Sequence, residues 1–155
     1  MAAEKANSDS SIILTSQHLQ NLISLAKDSL PNECCALLIG KNNTSANIEG
    51  NLKESNIFVN DIIVMRNSDM STVTFSIDPQ ELIDAYLVAE KRKLCVVGIF
   101  HSHPTSSPFP SVTDRKYMEI NPIIWLIYSP ARNEFKSYKF EEGKIKVVSL
   151  SVVTG

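Results

Sequence analysis

The chain has 155 residues, of which 43% are hydrophobic and 21% charged, a composition typical of one soluble globular domain. Its formal net charge of −2 at pH 7, without a block of Lys or Arg, gives no general attraction to phosphate backbones or anionic lipids. Neither nucleic acid nor a membrane is therefore expected as a partner.

The cysteines and the N-terminal segment indicate the compartment. Cys34, Cys35 and Cys95 are an odd number without Cys-x-x-Cys spacing, which argues against a disulfide framework or a thiolate zinc cluster. We expect all three to be buried small hydrophobic residues in a reducing environment. Because no segment resembles a signal peptide or a membrane span, a soluble cytoplasmic protein is predicted.

The first half of the chain predicts one amphipathic helix and several strands. After Thr15 and Ser16, apolar residues recur on one side at helical spacing until Pro31. Residues 33–40 are short, apolar and closed by glycine, which predicts a buried strand. Residues 41–55, rich in Asn, Ser and Lys, indicate a turn region. Two further strands are predicted, over residues 57–65 and 73–77.

The second half opens with a helix signal and ends in strands. Asp78-Pro79-Gln80-Glu81 places a cap, a proline and an acid where a helix N-terminus favours them. Residues 94–103 are apolar on both faces, as in a covered central strand, while residues 104–110 hold three prolines and cannot be regular. Ser111 or Thr113 then caps a short helix. Three strands complete the prediction, in the segments IIWLIYS, NEFKSYKFEE and KIKVVSLSVV.

These elements together predict an α/β fold in a single domain. The sheet is expected to be mixed and curved, flanked by two main helices, with a short helix after the proline-rich loop. Residues 1–11 are small and polar and are expected to be a flexible tail ahead of a domain over residues 12–155.

Two histidines at the exit of the predicted central strand are candidate metal ligands. His101 and His103 are two residues apart, so their imidazoles project from one face, about 6.6 Å apart along the chain. Asp114 is the obvious third ligand, because zinc accepts two imidazoles and a carboxylate and keeps one position for water. Two alternatives remain open at this point. Histidines at strand ends are often structural, and Ser111 with Asp114 also matches a helix capping box.

The segment resembles a known motif when its residues are taken together. His101-Ser102-His103, seven residues from Pro104 to Pro110, then Ser111 and Asp114 resemble the JAMM motif of the MPN+ metalloproteases, His-x-His-x(7)-Ser-x-x-Asp. Glu33 occupies the place of the upstream glutamate of that family. The resemblance spans roughly residues 12–150 and implies an MPN-type domain similar to the proteasome-lid deubiquitinase and its prokaryotic homologues.

The resemblance implies a zinc hydrolase with one Zn²⁺ per chain. His101, His103 and Asp114 would be the zinc ligands, with water in the fourth position. Glu33 would be the general base, although from the sequence alone a glutamate just past a helix end is usually a solvated charge. Ser111 would stabilise the tetrahedral intermediate by donating a hydrogen bond to the carbonyl oxygen.

The resemblance also implies a class of substrate. Family members mostly cleave isopeptide bonds between the C-terminal glycine of ubiquitin, or of a ubiquitin-like modifier, and a lysine amine, in some cases within a proteasome-type assembly. Thr74, within residues 66–76, is a candidate for pairing with an extended peptide, and Phe109 either contacts substrate or packs inward. The alternatives are a peptidase that releases an amino acid from a ubiquitin-like sulfur carrier, and a non-catalytic MPN scaffold.

Overall fold

The computed structural model of the chain describes residues 10–46 and 52–155. Within these ranges, the elements in chain order are β1 (Ser10–Thr15), α1 (Ser16–Ser29), β2 (Cys35–Ala46), β3 (Leu52–Met65), α2 (Pro79–Lys91), β4 (Cys95–Ser102), α3 (Val112–Ile120), β5 (Ile124–Ser129), β6 (Glu134–Glu141) and β7 (Lys144–Val153).

The strands form a closed barrel in the order β1-β3-β2-β4-β5-β6-β7. The fold is mixed α/β as predicted, but the sheet closes into a barrel and is not the curved sheet that was expected. Strand β1 closes the sheet because it pairs in parallel with both β3 and β7, which lie far apart in the sequence. Strand β4 also pairs in parallel with β5, while β5, β6 and β7 are antiparallel to one another as expected.

Strand β1 was not anticipated from the sequence. Its first residue, Ser10, pairs with Ser55, so regular structure begins two residues before the expected start at Ile12. The alternation of buried and half-buried side chains along β1 is typical of a strand with one core face. The rest of the expected tail, residues 1–9, lies outside the described residues.

Two further sequence predictions in the first half are wrong. Residues 41–55 were expected to be a turn region, but β2 continues to Ala46 and pairs with β3, which already begins at Leu52. The polar Asn and Ser side chains of this segment indicated a turn. The two strands nevertheless pair there, because the hydrogen bonds between strands are made by backbone groups. Residues 73–77 are not a strand: the segment between β3 and α2 is irregular and takes its hydrogen bonds from nearby side chains.

The three helices lie where their caps predicted. Thr15 accepts the backbone N–H of His18 at the start of α1, and Asp78 accepts two backbone N–H groups at the start of α2. Ser111, one of the two predicted candidates, caps α3. No helix of the described ranges 10–46 and 52–155 is long and apolar enough to span a membrane.

The hydrophobic core has two parts, one on each face of the sheet. Consecutive residues of β2 alternate between them, so Cys34 belongs to the cluster that α1 covers and Cys35 to the cluster that α2 covers. Both thiols are buried and free, as expected. The expectation for Cys95 is wrong: it opens β4 with an exposed side chain, because the buried run begins one residue later.

Candidate metal centre

The pairing of β2 with β4 brings the candidate residues to one end of the barrel. Cys35 faces His101 in this antiparallel pair, which sets Glu33 opposite His103. The backbone N–H of Ser102 donates to the carbonyl of Cys34, and the N–H of Cys34 donates to the Ser102 hydroxyl. Because side chains alternate along a strand, this register aims Glu33 and both histidines to the same side.

Three donor atoms from His101, His103 and Asp114 converge on one point. The two Nε2 atoms lie 3.1 Å apart, and Asp114 Oδ2 lies 3.1 Å from Nε2 of His101 and 3.0 Å from Nε2 of His103. All three side chains are buried. The predicted trio is therefore brought together, although its members come from a strand, the residue after it and a helix.

Asp114 also completes the capping box of α3, so the two interpretations left open by the sequence do not exclude each other. Its Oδ2 accepts the backbone N–H of Ser111 at 2.9 Å, and its own N–H donates to the Ser111 hydroxyl at 3.0 Å. The oxygen that caps the helix is the same one that faces the histidines. Capping therefore fixes the carboxylate in the orientation that a metal site requires.

Each imidazole is held by its surroundings. Nδ1 of His103 lies 2.9 Å from the carbonyl oxygen of Ser107, which can only accept, so Nδ1 carries a proton and Nε2 is the nitrogen that faces His101 and Asp114. His101 stacks on Phe75 at 4.7 Å between ring centroids and meets Trp125 edge-on at 5.9 Å. Its Nδ1 is buried without a hydrogen-bond partner among the described residues.

Glu33 lies against this trio, and with the two histidines it forms a group of donor atoms that could hold a metal ion. Its side chain is buried, and one oxygen of its carboxylate lies within 4.8 Å of donor atoms of both histidines. The expectation of a solvated charge, which the sequence alone favoured, is thus wrong. The other observation is that Oε1 of Glu33 is buried without a partner among the described residues. A buried carboxylate oxygen without a partner is costly, and such groups occur at sites with a catalytic role.

The ionisation of the four residues is set by burial and by each other. Burial raises the pKa of Glu33 to about 7, although nearby His103 opposes the shift. Burial also lowers the pKa of His101. Burial alone would raise the pKa of Asp114, but its contacts with the two histidines outweigh it and hold that pKa well below the usual range. The contact between His103 and Asp114, together with the hydrogen bond from His103 to the Ser107 carbonyl, raises the pKa of His103, although burial opposes this shift.

The donor set fits a zinc ion. A tetrahedral site with bonds of about 2.0 Å separates its ligand atoms by about 3.3 Å, close to the spacings of 3.0 and 3.1 Å between these three donors. Two imidazoles and a carboxylate are ligands typical of hydrolytic zinc sites, which keep a fourth position for water.

Ser111 and Phe109 lie at the exposed side of the centre. The Ser111 hydroxyl accepts from Asp114, so its own hydrogen remains available to donate toward solvent. Phe109 combines both alternatives of the sequence analysis: its side chain is 58% exposed, yet its ring meets Tyr138 edge-on at 5.7 Å. Tyr138 also donates to the carbonyl of Pro108, which fixes this loop.

Thr74 does not offer its backbone to a peptide. Its N–H donates to the Ser71 hydroxyl, and its carbonyl accepts from the Asn67 side chain. The neighbouring Phe75, whose ring packs on His101, makes no backbone hydrogen bond among the described residues. Of these two residues, only Phe75 therefore keeps backbone groups without such partners among the described residues.

Three residues that shape the centre were not found from the sequence. Asn67 and Phe75 lie in the segment that was predicted as polar loop and strand, and nothing local marks them. Ser107 acts through its carbonyl, which any residue type supplies. Ser102 was within the motif, but its hydrogen bond to β2 depends on a register that the sequence does not show.

Comparison with known proteins defines the family. The model of the prokaryotic homologues of the JAB domain matches residues 15–141. The chain therefore belongs to the prokaryotic JAB family, within the JAB/MPN proteins that the motif resembles.

Named relatives match almost the whole chain. A desampylase of Pyrococcus furiosus is 32% identical, over 98% of this chain and 97% of the relative. A CysO-cysteine peptidase of Mycobacterium tuberculosis is 23% identical, over 92% of this chain and 91% of the relative. The solution structure of a Desulfitobacterium hafniense protein superposes with a TM-score of 0.76 at 26% identity, covering 93% of this chain and 94% of that one.

Proposed function

We propose that this chain is a zinc-dependent isopeptidase that cleaves the bond between the C-terminal glycine of a ubiquitin-like modifier and a lysine amine. The observation that carries the proposal is the convergence of His101, His103 and Asp114, at 3.0–3.1 Å, beside the buried Glu33. A scaffold without activity has no need of such a set, and burying it without a ligand is costly.

The residues of the centre have separate roles in this proposal. Zinc bound by His101, His103 and Asp114 would supply a Lewis acid and lower the pKa of a water toward 7. Glu33 takes a proton from the attacking water and delivers it to the departing amine. The Ser111 hydroxyl donates a hydrogen bond to the carbonyl oxygen of the scissile bond as negative charge develops there.

An apolar cavity beside the centre is the proposed site for the C-terminal tail of the modifier. It has a volume of about 270 Å³ and lies between α2, α3 and Phe75, with Tyr117, Ile120 and Trp125 in its lining. Phe75 connects the cavity to the centre because its ring stacks on His101. A tail that pairs with the Phe75 backbone would place an apolar side chain in the cavity.

The cavity can be tested by a matched pair of variants. Ile120 and Ile83 are exposed isoleucines on helices, at 73% and 53%, and only Ile120 lines the cavity. We expect Ile120→Ser to raise KM severalfold with little change in kcat, because it removes uniform binding, and Ile83→Ser to leave both unchanged. Equal effects of the two substitutions would contradict this location.

The second candidate substrate is a ubiquitin-like sulfur carrier joined to an amino acid. It is favoured by the CysO-cysteine peptidase, which matches 92% of this chain. The reaction is again hydrolysis after a C-terminal glycine, so the same residues would carry it.

One experiment separates the functions. Purified protein is incubated with modifier–lysine conjugates and with a sulfur-carrier–cysteine fusion, each with and without a chelator, and with His101→Ala as a control. We expect chelator-sensitive cleavage of the conjugates. Cleavage of the fusion alone would select the second candidate. Absence of both, in protein that contains zinc, would contradict the proposed function.

A further inference from the structure

The side chain of Asn67 makes four hydrogen bonds to backbone groups in and beside the loop between β3 and α2. Its Nδ2 donates to the backbone carbonyls of Thr74 at 3.0 Å and of Glu33 at 3.1 Å. Its Oδ1 accepts the backbone N–H groups of Ser76 at 3.0 Å and of Asp69 at 3.1 Å. An amide has two donor hydrogens and two acceptor lone pairs, so its full hydrogen-bonding capacity is met by backbone groups.

The same loop supplies the backbone partners of Glu33. Glu33 precedes β2, so it lacks the regular ladder partners that residues within β2 have on both sides. Its N–H donates to the carbonyl of Ser71 at 2.8 Å, and its carbonyl accepts from Asn67. The loop thus takes the place of a neighbouring strand at this position.

The Glu33 carboxylate depends on this backbone for its position. Its Oε1 is buried and has no hydrogen-bond partner among the described residues, so no bond at that atom holds it against the histidines. A side chain without such a bond is placed by its backbone and by packing. Movement of the loop would therefore move the carboxylate.

We propose that Asn67 is a positioning residue that holds Glu33 where its carboxylate can serve the proposed hydrolysis. This inference rests on the proposed function, because it takes Glu33 as the general base. Asn67 itself touches neither the substrate nor the metal ligands in this account. It acts by tying the backbone of Glu33 to the loop that carries Phe75, so that the base and the loop beside the centre keep one relative position.

Asn67→Asp is the most informative substitution. It keeps the size and the acceptor oxygen, but it replaces the Nδ2 donor by an oxygen that faces the carbonyls of Glu33 and Thr74. Loss of both bonds and repulsion between the oxygens should displace Glu33. Gln17→Glu is the matched control, because it also replaces an amide donor by an oxygen, and Gln17 donates to Asn21 on the exposed side of α1, away from the centre and the cavity. If Asn67→Asp does not fold, the neutral Asn67→Ser replaces it.

The kinetic test compares these variants in two backgrounds. In the wild-type background we expect Asn67→Asp to lower kcat about 100-fold, as for a catalytic group misplaced by about 1 Å. KM and zinc content should change less than about twofold. In the Glu33→Gln background the same substitution should have no further effect, because a base that is absent cannot be misplaced.

The outcomes are distinguishable from failure of the proposed function. Full activity of Asn67→Asp, or an equal loss in both backgrounds, would overturn the proposal. Full activity of Glu33→Gln would instead remove Glu33 from the mechanism. If the wild type cleaves none of the substrates, crystal structures of the Asn67 and Gln17 variants still decide. The proposal requires the Glu33 carboxylate to shift by about 1 Å in the former only, and an unmoved carboxylate would contradict it.

Discussion

The Ser111 hydroxyl has one structural role and one proposed catalytic role, and a substitution can separate them. It accepts the Asp114 N–H at 3.0 Å as the N-cap of α3, and its hydrogen is proposed to donate to the substrate. Ser111→Ala removes both interactions. Loss of a capping hydroxyl costs about 1 kcal/mol of stability, which lowers Tm by about 2–4 °C in a domain of this size. Loss of an oxyanion donor lowers kcat by about 10²–10³-fold.

Thr15→Ala is the matched control for the structural role. Thr15 caps α1 through its hydroxyl, which accepts the His18 N–H at 3.0 Å, and it is not part of the centre. Both variants should therefore lose similar stability in thermal unfolding. Only Ser111→Ala should lose kcat on a modifier–lysine conjugate. Its zinc content should be unchanged, because the Ser111 backbone N–H that holds Asp114 remains.

Two results would refute this reasoning about Ser111. If Ser111→Ala has the wild-type kcat together with a Tm lowered like that of Thr15→Ala, the hydroxyl is a cap and nothing more. If Ser111→Ala loses zinc along with kcat, the hydroxyl acts by placing Asp114, and no hydrogen bond to the substrate is needed to explain the loss.

The remaining predictions concern the base, the barrel and the pH dependence of stability. Glu33→Gln should keep zinc and lower kcat by about 10²–10⁴-fold, because it removes the proposed general base. Unchanged turnover would contradict this role of Glu33. Gly40→Ala should lower the free energy of unfolding by about 3 kcal/mol in urea titrations, because its Cβ would lie 1.7 Å from the Phe58 carbonyl oxygen. Lys139→Met should cost under about 1 kcal/mol near pH 7. Lys139 lowers the pKa of Glu141, so the stability that this ion pair contributes is present above pH ~4.5 and is lost as the pH falls through the lowered pKa. A difference in unfolding free energy between wild type and Lys139→Met that persists at low pH would contradict this prediction.

The helices and the late strands could be predicted because their signals are local. Thr15, Asp78 and Ser111 each cap the helix that directly follows them in the sequence. The continuous apolar run of β4 predicts a buried central strand whatever its neighbours in the sheet are. Closure of the barrel could not be predicted, since it depends on Ser10–Thr15 pairing with two strands far along the chain. The segment around Phe75 alternates like a strand, but Asn67 takes its backbone hydrogen bonds.

The candidate site was predictable only in part, for a similar reason. His101, His103 and Asp114 all lie within one segment of 14 residues. A strand, a loop and a capped helix suffice to bring them together. Glu33 needs the register between β2 and β4, and without that register a glutamate after a helix looks solvated. Asn67 lies outside any motif, and only the folded chain shows that it contacts Glu33.

Zinc content is the measurement that tests the central claim most directly. Metal analysis is made on the zinc-replete, desalted wild type, on Asp114→Ala, and on Cys95→Ser, which removes an exposed free thiol as a control for adventitious metal binding. The account predicts one zinc per chain in the wild type and in Cys95→Ser, and none in Asp114→Ala. Wild-type protein without zinc, or zinc that persists in Asp114→Ala and disappears in Cys95→Ser, would contradict it.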